Sequence, residues 1–459
     1  MKPSTLLLAA CCLAQLIVVL DSSILTVALP EIAAELDIAA AYLPWVVNAF
    51  AIPIAGLLLL SGKLSDRYGA RRVLLVGTIV LAAGSALGGM APDATTLTCA
   101  RVSQGVGAAL MSPATLSMLS AHFPSGPARA RAFGLWGAAS GSGGAIGVLA
   151  GGLLVEGATW RWALLVNVPL TVGLIALIAT LPPTRETAGR GRRLDTAGAL
   201  AGTVAVTSLT LVFATIESPL LSVGPGAWAA IAVVAMVLFV LIESKWSPEP
   251  LIPLRHLEGQ NLWVLPAAMF FIGGAMTGAF YFLTLYFQLH QQLTPLGTGL
   301  AFLPMSVAAF IASANTHHLS QKISTKGAAM CAVAVMTVAL GALAGTTAFG
   351  STSLIMSISV LFGAGMGVAI STVADLVTEA FPAALSGVAS GVLTTAQQTG
   401  NTIGLAALVA LDVSGPSTTH GVAFTGAALM CLIATLLTWR HVRAGSSPRS
   451  AQRWADHTS

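Results

Sequence analysis

Two ionisable residues, Asp21 and Arg101, fall inside long apolar stretches of this 459-residue chain. A charged side chain at membrane depth costs at least about 2.5 kcal/mol, so such residues persist mainly where they are paired or functional. The two stretches should run in opposite directions, which places both residues at a similar depth. A carboxylate that loses and regains a cationic partner can bind and release a proton. A static ion pair that joins two helices is the alternative.

The composition of the chain indicates a membrane protein. Hydrophobic residues make up 56% of it, charged residues only 8%, and the mean hydropathy is +0.85. A water-soluble surface cannot be built from so few charges. Fourteen apolar segments approach the roughly 20 residues that cross a bilayer. They are 5–29, 43–61, 73–90, 97–120, 132–155, 162–181, 196–216, 226–242, 262–289, 297–315, 328–349, 354–376, 386–411 and 422–438.

The basic residues orient these segments. All of the 21 Lys and Arg except Arg101 and Arg161 fall on one side of the segments. The positive-inside rule therefore places that side, with both chain termini, in the cytoplasm. The net charge of +4 reflects this topology, so we expect no nucleic-acid partner. The scattered cysteines and the isolated His317, His318 and His420 predict no metal site.

We divide the chain into four parts. They are a six-helix bundle (1–183), a linker with two extra helices (184–260), a second six-helix bundle (261–440) and a cytoplasmic tail (441–459). No polar segment is long enough to form the core of a soluble domain. The chain also has no phosphate-binding loop for ATP, so an ion gradient or the substrate gradient must supply the energy, and we expect no cofactor.

A short cationic run joins the second and third segments and reads GKLSDRYGARR from Gly62 to Arg72. We expect Gly62 and Gly69 to permit a turn, and Asp66 to pair with an arginine or with the positive end of a helix. A topological anchor is the alternative. The spacing G-x-L-x-D-R-x-G-x-R-R resembles the loop between helices 2 and 3 of the major facilitator superfamily. The resemblance implies a gating loop that latches the outward-facing state through Gly62, Asp66, Arg67, Gly69, Arg71 and Arg72.

Three further signatures resemble the fourteen-helix drug:proton antiporter branch of that superfamily. LDSSILTVALP, from Leu20, is similar to its helix 1 signature, and RVSQGVGAA, from Arg101, to the helix 4 pattern R-x-x-Q-G-x-G-A. The likeness implies that Asp21 and Arg101 couple transport to protons. GGAIGVLAGG resembles the antiporter motif of helix 5, but Val148 replaces the usual proline, which predicts a straighter helix. Its glycines predict close helix packing at Gly143, Gly147, Gly151 and Gly152.

The resemblance also implies a substrate cavity between two halves that rock against each other. Aromatic side chains of the ninth segment can stack on a planar ligand, although core packing or lipid contact is the more common role of such residues. Polar groups of the thirteenth segment either face the cavity or bond other helices. The cavity candidates are Asn48, Gln104, Trp136, Phe271, Tyr281 and Gln397.

These features predict an all-α membrane protein with the major facilitator fold and fourteen helices arranged as 6+2+6. We expect a monomer in the plasma membrane that exports small, mostly hydrophobic compounds in exchange for protons. It is similar to actinomycete antibiotic-resistance exporters of the methylenomycin type. A proton-coupled importer or symporter of a small metabolite is the alternative, because the fold does not determine direction. A membrane-embedded enzyme is disfavoured, since no catalytic or metal constellation appears.

Overall fold

The structure is a computed structural model that describes residues 3–39, 42–123, 127–181, 196–215, 223–246, 263–346, 352–380, 386–413 and 420–444. Over these residues the chain forms sixteen α-helices, and two π-helical turns, Ile242–Trp246 and Tyr286–His290, extend α9 and α10. The helices are α1 Pro3–Glu35, α2 Pro44–Tyr68, α3 Ala70–Gly89, α4 Ala94–His122, α5 Pro127–Gly157, α6 Trp160–Leu165, α7 Asn167–Thr180, α8 Thr196–Ala214, α9 Pro225–Leu241, α10 Val264–Leu285, α11 Pro295–Ala314, α12 Thr316–Ile323, α13 Thr325–Thr346, α14 Thr352–Ala380, α15 Ser386–Val413 and α16 Gly421–Ala444.

The exterior of these helices is apolar. Nine helical segments of the described chain are long and apolar enough to cross a membrane, and α6 and α7 together form one of them. Shorter apolar stretches lie in α2, α5 and α8. Large side chains such as Val233, Val338 and Leu361 point outward with more than half of their surface exposed. Such a surface is stable in a bilayer and not in water.

Two groups of helices pack in the same pattern. In α1–α7, the first bundle, α1 packs on α5 and α7, while α4 packs on α2 and α3. In α10–α16, the second bundle, α10 packs on α15 and α16, while α14 packs on α11 and α13. The pair α8 and α9 lies beside them, with α8 against both α2 and α15. The second bundle therefore repeats the helix arrangement of the first.

Glycines set the same close contact in both bundles. A Cβ atom on Gly147 of α5 would meet the carbonyl oxygen of Leu20 on α1, and one on Gly400 of α15 would meet that of Phe270 on α10. Four residues later, a second glycine on each of α5 and α15 approaches the backbone of the same partner helix. Because the spacing agrees, the register of α10 against α15 matches that of α1 against α5.

The two bundles are joined at the end where α1 finishes. Gln288 Nε2 donates to the carbonyl of Val27 at 2.8 Å, and the amide of Leu296 donates to the carboxylate of Glu156 at 3.1 Å. We call these two hydrogen bonds the clasp. One apolar core here includes residues of both bundles. Near the start of α1, a separate core includes residues of the first bundle alone.

A single glycine separates α2 from α3. Gly69 has φ 90° and ψ 129°, and its amide donates to the carbonyl of Ser65 at 3.0 Å. The expectation that Gly62 also permits a turn is wrong, because α2 continues through Gly62 to Tyr68. Most of the predicted loop is therefore helical, and the change of direction rests on Gly69.

The replacement Gly69→Ala should lower the free energy of unfolding by about 1–2 kcal/mol, since a side chain at positive φ strains the backbone. Gly62→Ala is the matched control, because it places a methyl group into open space within a helix. That change should be neutral or stabilise by up to about 1 kcal/mol. Thermal unfolding in detergent measures both variants, and equal stabilities would contradict the assigned strain.

Candidate functional site

Asp21 and Arg101 form a buried ion pair in the first bundle. Arg101 Nη1 lies 2.8 Å from Asp21 Oδ2, and the two side chains are 1% and 0% exposed. Asp21 comes from α1, and Arg101 lies two turns into α4, whose first turn is capped by Asp93 through the amide of Thr96. The structure thus brings together the two ionisable residues that the sequence placed at a similar depth.

Two carboxamides complete the surroundings of the carboxylate. Gln104 Nε2 donates to Asp21 Oδ1 at 2.8 Å, and Asn167 Nδ2 donates to the same oxygen. With Arg101, three donors therefore surround Asp21. Hydrogen bonds of this kind favour the charged form of a carboxyl group.

The guanidinium of Arg101 has partners besides Asp21. Its Nε donates to the carbonyl of Val46 at 3.1 Å, and its Nη1 donates to Gln104 Oε1 at 2.9 Å. The ring of Phe50 covers it, with 4.3 Å from the guanidinium carbon to the ring centroid. A cation over an aromatic face is stabilised electrostatically. The cation therefore has three contacts besides the carboxylate.

Helix geometry explains how these groups meet. Gln104 follows Arg101 by three residues and shares its helix face, and its Nε2 also donates to Ser85 Oγ on α3 at 2.8 Å. A Cβ atom on Gly105 would collide with the carbonyl of Phe50, so this glycine lets α2 approach α4 closely. Helices α1, α2, α3, α4 and α7 all contribute to the site.

Asn167 and Ser85 are the site residues that sequence reasoning missed. Asn167 begins α7, directly after Val166 separates it from α6. The signal in the sequence was a carboxamide within an apolar stretch, two residues before Pro169. Trp160 of α6 is fully buried, and its Nε1 donates to Glu35 Oε2 at 2.6 Å while Arg161 pairs with the same carboxylate.

The glycines of α5 divide between two partners. Gly143, Gly147 and Gly151 face the backbone of α1, while Gly152 faces Pro295 and Leu296 at the start of α11. α5 runs without interruption from Pro127 to Gly157 and passes through the buried Val148. This helix therefore contacts both the helix with Asp21 and the second bundle.

The residues of the predicted gating loop lie around the break at Gly69. Arg71 donates from Nε and Nη2 to the carbonyl of Ile178, at 3.3 and 3.0 Å, near the end of α7. A cation at this position favourably meets the negative end of the helix dipole. Arg67 lies over the ring of Tyr68, and Arg72 is exposed. Asp66 is part of α2, but its side chain lies outside the described part of the structure.

The six cavity candidates fall in both bundles. Gln104 belongs to the ion-pair site, and Trp136 Nε1 donates to Thr115 Oγ1 at 3.1 Å between α5 and α4. Asn48 on α2 is 1% exposed, and both polar atoms of its side chain lack a partner.

In the second bundle, Phe271 packs edge-on against Phe270, and Tyr281 is buried beside Phe282. The carbonyl of Gln397 lies against Gly273, so its backbone takes part in packing α15 on α10. By the register of these helices, Phe271 takes the place in α10 that Asp21 takes in α1. Outside the cavity candidates, His420 Nδ1 lies 2.6 Å from Asp412 Oδ2. The described residues contain no cluster of three or more His, Cys, Asp or Glu that could hold a metal.

Comparison with known proteins gives consistent matches along the chain. The model of the Major Facilitator Superfamily matches residues 11–405. The cephamycin export protein of Amycolatopsis lactamdurans is 34% identical over 95% of this chain and 92% of its own length. The puromycin resistance protein of Streptomyces alboniger is 35% identical over 86% of this chain and 79% of its own length. The methylenomycin A resistance protein of Streptomyces coelicolor is 31% identical over 92% of this chain and 89% of its own length.

Solved structures share the fold. A D-xylose–proton symporter superposes with a TM-score of 0.71 over 96% of this chain and 98% of its own, at 13% identity. The human organic anion transporter MFSD10 superposes with a TM-score of 0.63 over 95% of this chain and 100% of its own, at 15% identity. At such identities the likeness concerns the arrangement of helices and not the substrate.

Proposed function

Because the chain belongs to the major facilitator superfamily, we propose that it exports small, mostly hydrophobic organic compounds in exchange for protons. The protein is a transporter and not an enzyme, and it is a multi-pass protein of the cell membrane. Its relatives include proteins named for cephamycin export and for resistance to puromycin and methylenomycin A. These names support antibiotic-like compounds as the class of substrate.

The proposed topology has fourteen spans. The first bundle contributes six, with α6 and α7 as one; α8 and α9 add two; the second bundle contributes six, with α12 lying outside the membrane. The repeated packing of the two bundles supports this count. Both termini then lie in the cytoplasm, as the basic residues favour. The domain boundaries at 183, 260 and 440 and a monomeric protein belong to the same proposal.

The observation that carries proton coupling is the set of partners around the buried ion pair. A carboxyl group can take up a proton only if its former cationic partner is not left unpaired in a dry interior. Arg101 would meet this requirement through its contacts with the Val46 carbonyl, Gln104 Oε1 and the ring of Phe50. Asp21 can therefore alternate between carboxylate and acid while the guanidinium stays in place.

The clasp supports a cycle of alternating access. In the proposed topology, α1 finishes at the outer side of the membrane, so the clasp holds the outer side closed. Substrate would enter from the cytoplasmic side, and opening of the clasp would release it outside. The latch around Gly69 and Asp66 would then hold the opposite, outward-facing state.

Purified protein in liposomes tests the proposed function. A panel of antibiotics first identifies a compound that the protein transports. A gradient of this compound across the liposome membrane should then drive protons in the opposite direction. A pH-sensitive dye detects this proton flow. Protons that move together with the substrate would identify a symporter and overturn antiport. Substrate movement without proton movement would overturn coupling.

Replacing Glu156 with Gln should weaken the clasp, because a neutral amide interacts less with the positive start of α11 than a carboxylate does. We expect the ratio of molecules with a closed outer side to molecules with an open outer side to fall about two- to fivefold. Spin labels at Gly157 and Gln292, in a cysteine-free background, report this ratio as a distance distribution. Glu31→Gln is the matched control on α1. An unchanged distribution in Glu156→Gln would mean that Glu156 does not hold the bundles together.

A further inference from the structure

The hydrogen bonds around Asp21 leave one buried acceptor unused. Arg101 has donors only, and Gln104 Oε1 already accepts from Arg101 at 2.9 Å. Asn167 is fully buried, and its Oδ1 has no hydrogen-bond partner in the structure. A buried carbonyl oxygen without a donor is uncommon and calls for a ligand or a second state that satisfies it.

A protonated Asp21 would supply the missing donor. In the structure Asn167 Nδ2 donates to Asp21 Oδ1, which suits an ionised carboxylate. A protonated carboxyl group carries an O–H donor. Rotation of the Asn167 amide by half a turn exchanges its nitrogen and oxygen, so that Oδ1 faces the new proton.

We propose that Asn167 is a positioning residue for the transported proton: it donates to the Asp21 carboxylate and, after rotation of its amide, accepts from the Asp21 acid. The proposal rests on the proposed function, in which Asp21 carries the proton. It assigns to one side chain a partner for each of the two protonation states.

The local structure of α7 suits this role. The interruption at Val166 makes Asn167 the first residue of α7. Thr171 Oγ1 donates to the backbone carbonyl of Asn167 at 2.7 Å. The backbone carbonyl of Asn167 therefore bonds within its own helix, while the side-chain amide bonds Asp21.

Arg101 is the charged group that contacts Asp21 among the described residues. The other helices around this part of α1 present uncharged groups. These are Phe50 and the Val46 carbonyl from α2, Ser85 from α3 and glycines from α5. α10 and its π-helical turn reach α1 at Val27 through Gln288. The pair of Glu35 and Arg161 lies at the end of α1, about 20 Å away by helical rise.

The test measures proton binding by Asp21 in the full-length protein. The infrared band of a protonated carboxyl group is followed against pH, with Asp21→Asn as the blank. Asn167→Leu removes both the donor and the acceptor and keeps the branched shape of the side chain. Because a hydrogen bond to a charged group is stronger than one to a neutral group, the carboxylate loses more than the acid. Proton binding by Asp21 should therefore become about tenfold tighter.

Asn167→Ala is a second variant for the case that the leucine impairs folding, and it should also make proton binding by Asp21 tighter. Thr78→Val is the control, because it removes a buried hydroxyl of α3 that bonds within its own helix. Thr78→Val should titrate as the wild type does. Unchanged proton binding in the Asn167 variants, with reduced transport, would overturn the proposal and leave Asn167 a packing residue. If wild type shows no band that Asp21→Asn removes, Asp21 does not titrate, and the proposed function itself fails.

Discussion

Replacing Asp21 with Asn should reduce proton-driven export to the background of protein-free vesicles while folded protein remains in the membrane. The amide has nearly the shape of the acid but cannot carry the proton. Arg101 keeps Val46, Gln104 and Phe50 as partners in the variant. The free energy of unfolding should therefore fall by about 1–3 kcal/mol, less than the roughly 3–5 kcal/mol expected when a buried pair is broken and the survivor has no other partner.

Two measurements on the same preparation separate function from folding. Efflux driven by an imposed pH gradient reports coupling, and thermal unfolding in detergent reports stability. Asp21→Glu should retain part of the export rate, because it can still titrate. Ser22→Ala, at the next and exposed position of α1, is the control. Efflux at the wild-type rate in Asp21→Asn would remove Asp21 from the mechanism.

Replacing Gly105 with Val should cause the largest structural loss. A Cβ atom at this position would collide with the carbonyl of Phe50 and lie 3.2 Å from its Cα. Moving α2 away would displace both the ring and the Val46 carbonyl that hold Arg101. We expect overpacking to cost at least about 1–3 kcal/mol, so that little monodisperse protein is recovered and the remainder does not transport.

Gly173→Val is the matched control for this change. Gly173 lies within α7, and a Cβ atom there meets nothing within 4 Å. The same substitution should therefore leave both yield and export near the wild-type level. Size-exclusion profiles after detergent extraction compare the two variants directly. Comparable profiles for Gly105→Val and wild type would show that α2 and α4 can separate at little cost.

The sequence was most informative where chemistry and membrane depth coincide. Asp21 and Arg101 could be related because a charge in an apolar stretch needs a partner and opposite helix directions fix the depth of each. Asn167 could not be placed beside them, since its contact with Asp21 depends on how α7 packs against α1. Gly62 and Gly69 look alike in the sequence, and only the helix contacts determine which of them forms the break.

The cavity candidates show a second limit of the sequence. Gln104 and Asn48 are both polar residues within apolar helices, and the spacing along the chain does not separate their roles. In the structure Gln104 bonds Asp21, Arg101 and Ser85, whereas the side chain of Asn48 has no partner. The difference depends on which helices face them, which no local pattern contains.

The matching register of the two bundles bears on the energetics of transport. Within α1–α7 and α10–α16, Asp21 is the described acid with a fully buried side chain, and Phe271 stands at its counterpart position. With Asp21 as its single proton carrier, the proposed exporter would exchange one proton per cycle. For a neutral compound, one charge then crosses the membrane, so about 100 mV contributes about 2.3 kcal/mol. At about 1.4 kcal/mol per tenfold ratio, this voltage sustains a gradient of roughly 50-fold. A singly charged cation makes the exchange electroneutral, which leaves only the pH difference to drive it.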